Sequence, residues 1–234
     1  MKVSALCLWL CAFSSARAAL PADLPSPTDA STFTLTLAAA NHGDARAEYE
    51  LGLIYNLGSG VPQSEELARR WYAKAADQGL ACAQNNLGVL YRDGIGNKRD
   101  PRKAYDYFKQ AAEQADVKGE FNLGIAYATG SGVAIDYAAA AGWLSQAAEA
   151  GYQKASFSLA VLYAQGKGVT QNLIIADALL NVAASEGSLA KAPAQAAKVA
   201  LEKQLSATDL RAARELTRKL AEKDQFARAL LNAR

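Results

Sequence analysis

The chain has 234 residues, with 25 lysines and arginines against 23 aspartates and glutamates, and 51% of its side chains are hydrophobic. A formal net charge of +2 lacks the basic surplus that nucleic-acid binding requires. The chain has one histidine and three cysteines, two of which (Cys7 and Cys11) fall in an expected export signal, so a mature chain with one histidine and one cysteine nearly excludes a multi-ligand structural zinc site.

The first residues read as an export signal. Lys2 supplies a positive charge, and residues 3–13 form an apolar stretch too short to span a bilayer, which takes about 20 residues. Ala16-Arg17-Ala18 then fits a small-x-small cleavage site. Residues 1–18 are expected to be a signal peptide cut before Ala19, which places the mature protein in the periplasm or outside the cell. Cleavage removes Lys2, Arg17, Cys7 and Cys11, leaving 23 basic and 23 acidic side chains and Cys82 as the single cysteine. One cysteine cannot build an internal disulfide framework. No later apolar stretch is long enough for stable membrane insertion. Residues 19–31 carry Pro21, Pro25 and Pro27, which disfavour helix, and read as a proline-rich linker.

The rest of the chain repeats itself. "LGLIYNLGSG" at 51 returns as "LGVLYRDGIG" at 87, "LGIAYATGSG" at 123 and "LAVLYAQGKG" at 159, always 36 residues on. The register defines four copies, 44–79, 80–115, 116–151 and 152–187. A partial copy, 32–43, precedes them, with Ala39, Ala40 and Gly43 standing 36 residues before Ala75, Ala76 and Gly79.

Each copy predicts a helix, a tight turn and a second helix. In the first copy Ala47, Leu51, Ile54, Tyr55 and Gly58 recur at spacings of 3 and 4, one stripe of a helix. The glycine pairs 58/60, 94/96, 130/132 and 166/168 mark turns, because glycine reaches positive φ without steric cost. Ser64, Asp100, Asp136 and Asn172 are side chains that accept a backbone N–H at a helix start, and Pro101 suits a first helical position. The second helix carries small residues and aromatics such as Ala68, Trp71, Tyr72, Ala75 and Ala76. It ends at Gly79, Ala115, Gly151 and Gly187, with Ala115 the one lapse in that series.

Beyond 187 the register fails, and residues 188–234 read as a C-terminal helical cap. A helix is expected over 192–205, starting near Pro193. A last helix is expected to be capped by Ser206 and Asp209, with Leu210, Ala213, Leu216 and Leu220 as its buried stripe. A polar outer face there keeps an open-ended stack soluble.

These residues carry a family pattern. "A-x-x-x-L-G-x-x-Y-x-x-G-x-G-V", followed by "A-x-x-W-Y-x-K-A-A-x-Q-G", resembles the Sel1-like repeat, a 36-residue relative of the tetratricopeptide repeat. Asn97 departs from the pattern in the second copy, as do Ala160, Leu179 and Leu180 in the fourth. The resemblance implies an all-α fold, a right-handed α/α superhelix of stacked helix-turn-helix hairpins, over roughly 32–187. By analogy with tetratricopeptide repeats, the outer face of each first helix would line a concave groove. That face carries Tyr49, Asn85, Phe121 and Phe157 at one position, and Arg46, Cys82, Lys118 and Lys154 three residues earlier. The alternative for the first row, and the favoured reading for Leu53, Val89, Ile125 and Val161, is additional core.

An aromatic and aliphatic floor with a basic edge suits a protein or peptide with apolar anchors and an acidic or C-terminal carboxylate group. Cys82 is a candidate reactive thiol on that face, or simply a small residue where other copies carry a cation. The chain has no nucleophile elbow, phosphate-binding loop or dinucleotide fingerprint, and neither cofactor nor metal is expected. The resemblance thus implies an exported non-enzymatic adaptor, scaffold or regulator. Two other roles are an architectural subunit of an envelope complex and a β-lactam-binding or weakly hydrolysing enzyme. The family branch linked to that last activity staples each repeat with a cysteine pair, which a chain with one mature cysteine does not have.

Overall fold

The computed structural model describes residues 30–185, 188, 190–222 and 226–233. The expected signal peptide, most of the expected linker and Gly187 lie outside the described residues. The described chain is all-α, with twelve helices and no strand. It divides into two compact units, Met1–Tyr107 and Phe108–Arg234.

The first unit holds α1 (Ala30–Asn41), α2 (Ala45–Leu57), α3 (Glu65–Asp77), α4 (Ala81–Asp93) and the start of α5 (Pro101–Ala112). Helix α1 begins at Ala30, two residues inside the expected linker. The last linker proline is Pro27, and nothing beyond it interrupts a helix. Helix α2 packs on α1 and α3, and α3 packs on α4. Leu51, Ala68, Tyr72, Ala75, Ala83 and Leu87 are buried between them.

The second unit holds the remainder of α5, then α6 (Val117–Thr129), α7 (Tyr137–Glu149), α8 (Gln153–Gln165) and α9 (Leu173–Ala183). It closes with α10 (Lys191–Glu202), α11 (Ala207–Ala221) and α12 (Phe226–Asn232). Consecutive helices pair from α6 to α10, α11 packs on α9, and α12 packs on α11. Helices α10 and α11 match the two cap helices read from the sequence, whereas α12 is additional. Ser206 and Asp209 form a reciprocal capping box, and Ala213, Leu216 and Leu220 are buried.

The turn inside each hairpin is built the same way four times. Gly58, Gly94, Gly130 and Gly166 take left-handed φ of 66–73° and end the first helix. Two residues on, Gly168 packs so closely on the start of α7 that a β-carbon there would lie 2.2 Å from the Tyr137 carbonyl carbon. Gly96 makes the same approach to Glu65, at 2.7 Å. The backbone N–H of Ser64 then donates to the carbonyl of Tyr55, Asp100 to Tyr91, Asp136 to Tyr127 and Asn172 to Tyr163, at 2.8–3.1 Å. The same four residues cap the second helices. Ser64 Oγ accepts from the Leu67 N–H, and Asp100 Oδ1 from Lys103. Asp136 and Asn172 each accept two N–H groups.

Candidate functional site

Position 44 and its equivalents decide how each first helix starts. Asp44 Oδ1 accepts the Ala47 N–H, and Asp116 Oδ1 accepts that of Gly119, both at 2.7 Å. The equivalent Leu80 and Tyr152 make no side-chain cap. Both instead pack inward: Leu80 lies against the cluster around Tyr72, and Tyr152 meets Phe121 edge-on at 5.0 Å. The sequence reading found the second-helix caps but missed this alternation. An apolar residue at a cap position between two aspartates was its signal.

In the first unit, Arg46 is exposed and pairs with Glu50 at 3.5 Å. One helical turn further, Tyr49 is half-buried, with its ring 5.8 Å from that of Tyr72. Cys82 is half-buried and forms no disulfide. Burial pushes the Tyr72 hydroxyl far above the ordinary phenol range, and Tyr49 and Cys82 add to the shift, so Tyr72 stays protonated. Asn85 is 3% exposed. This corrects Asn85 as a candidate contact: of the two readings the sequence left for this row, groove lining and additional core, its burial in the packing of α4 favours core.

In the second unit, Lys118 is exposed, and three residues on Phe121 is half-buried against Tyr152. Lys154 is half-buried and Phe157 is 3% exposed. Phe157 therefore joins the core, because residues 155–163 of α8 are buried on every side. Of the four residues at this position, only Tyr49 and Phe121 keep exposed surface. At position 53, Leu53 and Val161 are buried, while Val89 and Ile125 are half-buried.

A second row escaped the helical-wheel reading. Glu48, Gln84, Glu120 and Ser156, again 36 apart, are all buried. Gln78 Nε2 donates to Glu48 Oε2 at 2.7 Å, tying the end of α3 to α2. Glu120 is held above the usual carboxylate range, first by burial and then by the charge of Asp116. Asp177 on α9 is another buried carboxyl, 1% exposed. Its Oδ2 accepts from Asn181 Nδ2 at 3.0 Å, and its Oδ1 has no hydrogen-bond partner. Burial raises it most, Glu202 adds to this, and Lys198, Asn181 and Arg214 oppose.

Among the described residues, no group of three or more His, Cys, Asp or Glu side chains could hold a metal. No described helix is long and apolar enough to cross a membrane.

The geometry agrees with comparisons to known proteins. The family model for the Sel1 repeat matches residues 45–80, 83–116, 117–152 and 153–188. A Sel1 repeat protein from Oxalobacter formigenes is 28% identical, with a TM-score of 0.67, over 86% of this chain and 75% of that one. The chain is also similar to c5321, a protective antigen present in uropathogenic Escherichia coli strains displaying an SLR fold. That likeness is 26% identity at a TM-score of 0.55 over 86% of this chain, and it spans about half (51%) of that protein. An immunity protein from Pseudomonas aeruginosa, Pa5087, shares the fold at 21% identity and a TM-score of 0.51, over 91% of this chain and 84% of that one. Among curated proteins, nothing matches.

Proposed function

Because the chain belongs to the Sel1 repeat family, whose solenoids commonly serve as protein-interaction scaffolds, we propose that it is an exported, non-enzymatic adaptor that binds a protein or peptide. One observation carries the choice of surface. In the first and third copies an exposed cation, Arg46 or Lys118, stands three residues from a half-buried aromatic, Tyr49 or Phe121. Residues at that spacing are neighbours on a helix surface. An aromatic edge beside a cation suits an apolar side chain flanked by an acid or a terminal carboxylate.

Lys154 is the equivalent cation of the fourth copy, 36 residues after Lys118. Asn85 and Phe157, each 3% exposed, are left out of the proposed contact set. Cys82, half-buried on α4, is the candidate reactive thiol of the same proposal. The acidic preference, the periplasmic or extracellular location and the export signal belong to the same proposal.

The test is photo-crosslinking in cells from Tyr49 and Phe121, each replaced in turn by a photoreactive residue. One recurrent protein adduct is expected, and it should vanish when Arg46, Lys118 and Lys154 are all changed to glutamate. Adducts that arise only from the second helices, or that survive the charge reversal, overturn this surface as the docking face.

A further inference from the structure

The second unit carries a cavity of about 440 Å³, within the size range of small-ligand sites. Three helices end on it: α7 at Ala148 and Glu149, α9 at Val182 and Ser185, and α11 at Leu220, Ala221 and Glu222. A helix C-terminus is the negative end of its dipole and favours a cation within about a turn. Glu149 and Glu222 add two carboxylates, and no described lining residue is a lysine, arginine or histidine.

The polar side chains of the wall offer more acceptors than donors. Three of them, Asn181, Gln153 and Thr217, already have a donor engaged. Asn181 Nδ2 donates to Asp177, Gln153 Nε2 donates to Ser185 Oγ, and Thr217 Oγ1 donates to the Ala213 carbonyl. Their oxygens keep accepting capacity, and the remaining donors are the second amide protons and the Ser185 hydroxyl. Val182, Leu220 and Phe226 make the rest of the wall apolar. The nearby cations Arg218 and Lys219 both pair with Glu215 and do not line the cavity.

We infer that this cavity binds a primary alkylammonium: an aliphatic stem against Val182, Leu220 and Phe226, and an ammonium group at the helix ends beside Glu149 and Glu222. A lysine side chain of a partner protein has this chemistry, and so does a free diamine. The cavity shares no lining residue with the proposed docking face and takes a ligand of opposite charge.

The experiment is a two-dimensional ¹H–¹⁵N NMR titration of the mature chain with N-acetyl-lysine methylamide, with 1,5-diaminopentane and with the uncharged N-acetyl-norleucine methylamide. Saturable shifts confined to Gly151, Asn181, Thr217 and their neighbours are expected with both amines and not with norleucine. Tighter binding of the capped lysine identifies a protein side chain as the natural occupant, and tighter binding of the diamine identifies a free amine. The Glu149→Gln, Glu222→Gln double variant replaces two exposed carboxylates, leaves the rest of the spectrum in place and weakens binding roughly fivefold or more. Shifts that do not saturate, an equal response to norleucine, or an affinity untouched by the double variant overturn the inference.

Discussion

A β-carbon on Gly52 would lie 2.4 Å from the ring of Tyr72, so the ring rests directly on the backbone of α2. The contact sets how closely the two helices of the first hairpin approach. Gly124 and the Leu144 side chain repeat it in the third copy, where the clash would be at 2.8 Å. In the fourth copy Ala160 takes the glycine position and Leu180 the aromatic one, and both are buried.

Gly52→Ala is therefore expected to destabilise the protein by about 1–3 kcal/mol, the usual cost of overpacking a core. Adding Tyr72→Leu recreates the pair found in the fourth copy. The double variant should lose less than the sum of the two single ones, with a coupling of about 1 kcal/mol or more. Urea unfolding of the four proteins measures this directly.

Ala115 has a φ of 58°, the one non-glycine residue with positive φ among those described. A β-carbon in that region costs roughly 1–2 kcal/mol, partly offset by the freedom glycine regains when unfolded. Ala115→Gly is expected to stabilise the chain by about 0.5–1 kcal/mol, read as a higher unfolding midpoint. An unchanged or lower midpoint contradicts the strain argument.

Loss of a cap should cost stability only where a cap exists. Asp44→Ala and Asp116→Ala are each expected to lose about 1 kcal/mol. Introducing an aspartate at Tyr152 should not produce the matching gain, because it removes the contact with Phe121 and sets a new charge near Asp116. Thermal melts of the three variants decide the point.

Asp177 gives the protein a pH dependence of defined sign. Burial raises its folded pKa above the unfolded value, so protons bind more tightly to the folded state. The stability it contributes is complete below the ordinary carboxylate range and is lost as pH rises through the folded value. Asp177→Asn should raise stability at neutral pH and flatten the decline between acid and neutral pH. Glu120 shifts in the same direction for the same leading cause, so Glu120→Gln should act alike. Denaturation midpoints measured from acid to neutral pH, with the wild-type slope kept in either variant, would count against this account.

Much of the fold is legible in the sequence because repetition multiplies weak signals. A single glycine or aspartate says little, but Gly58, Gly94, Gly130 and Gly166 at one register position name a left-handed helix end. Ser64, Asp100, Asp136 and Asn172 likewise name a cap. The site was less legible. A helical wheel gives the direction in which Asn85 or Phe157 leaves its own helix, but not what lies beyond it. Phe157 is buried because α8 is enclosed on every side, a property of its neighbours. Glu48 and Asp177 look like solvated charges by residue type, and only packing shows them to be interior. Helix α12 falls outside the 36-residue register and gave no repeated signal.

The turn of every hairpin is sealed by main-chain atoms, with the N–H of residue 64 or its equivalent donating to the carbonyl nine positions earlier. Amide and carbonyl groups are the same whatever side chains surround them. A gene that duplicates or drops one 36-residue block therefore inherits a finished joint with no compensating substitution in the turn. The length of this solenoid is thus open to change by recombination alone, while the side chains on its helices are left free to follow the partner.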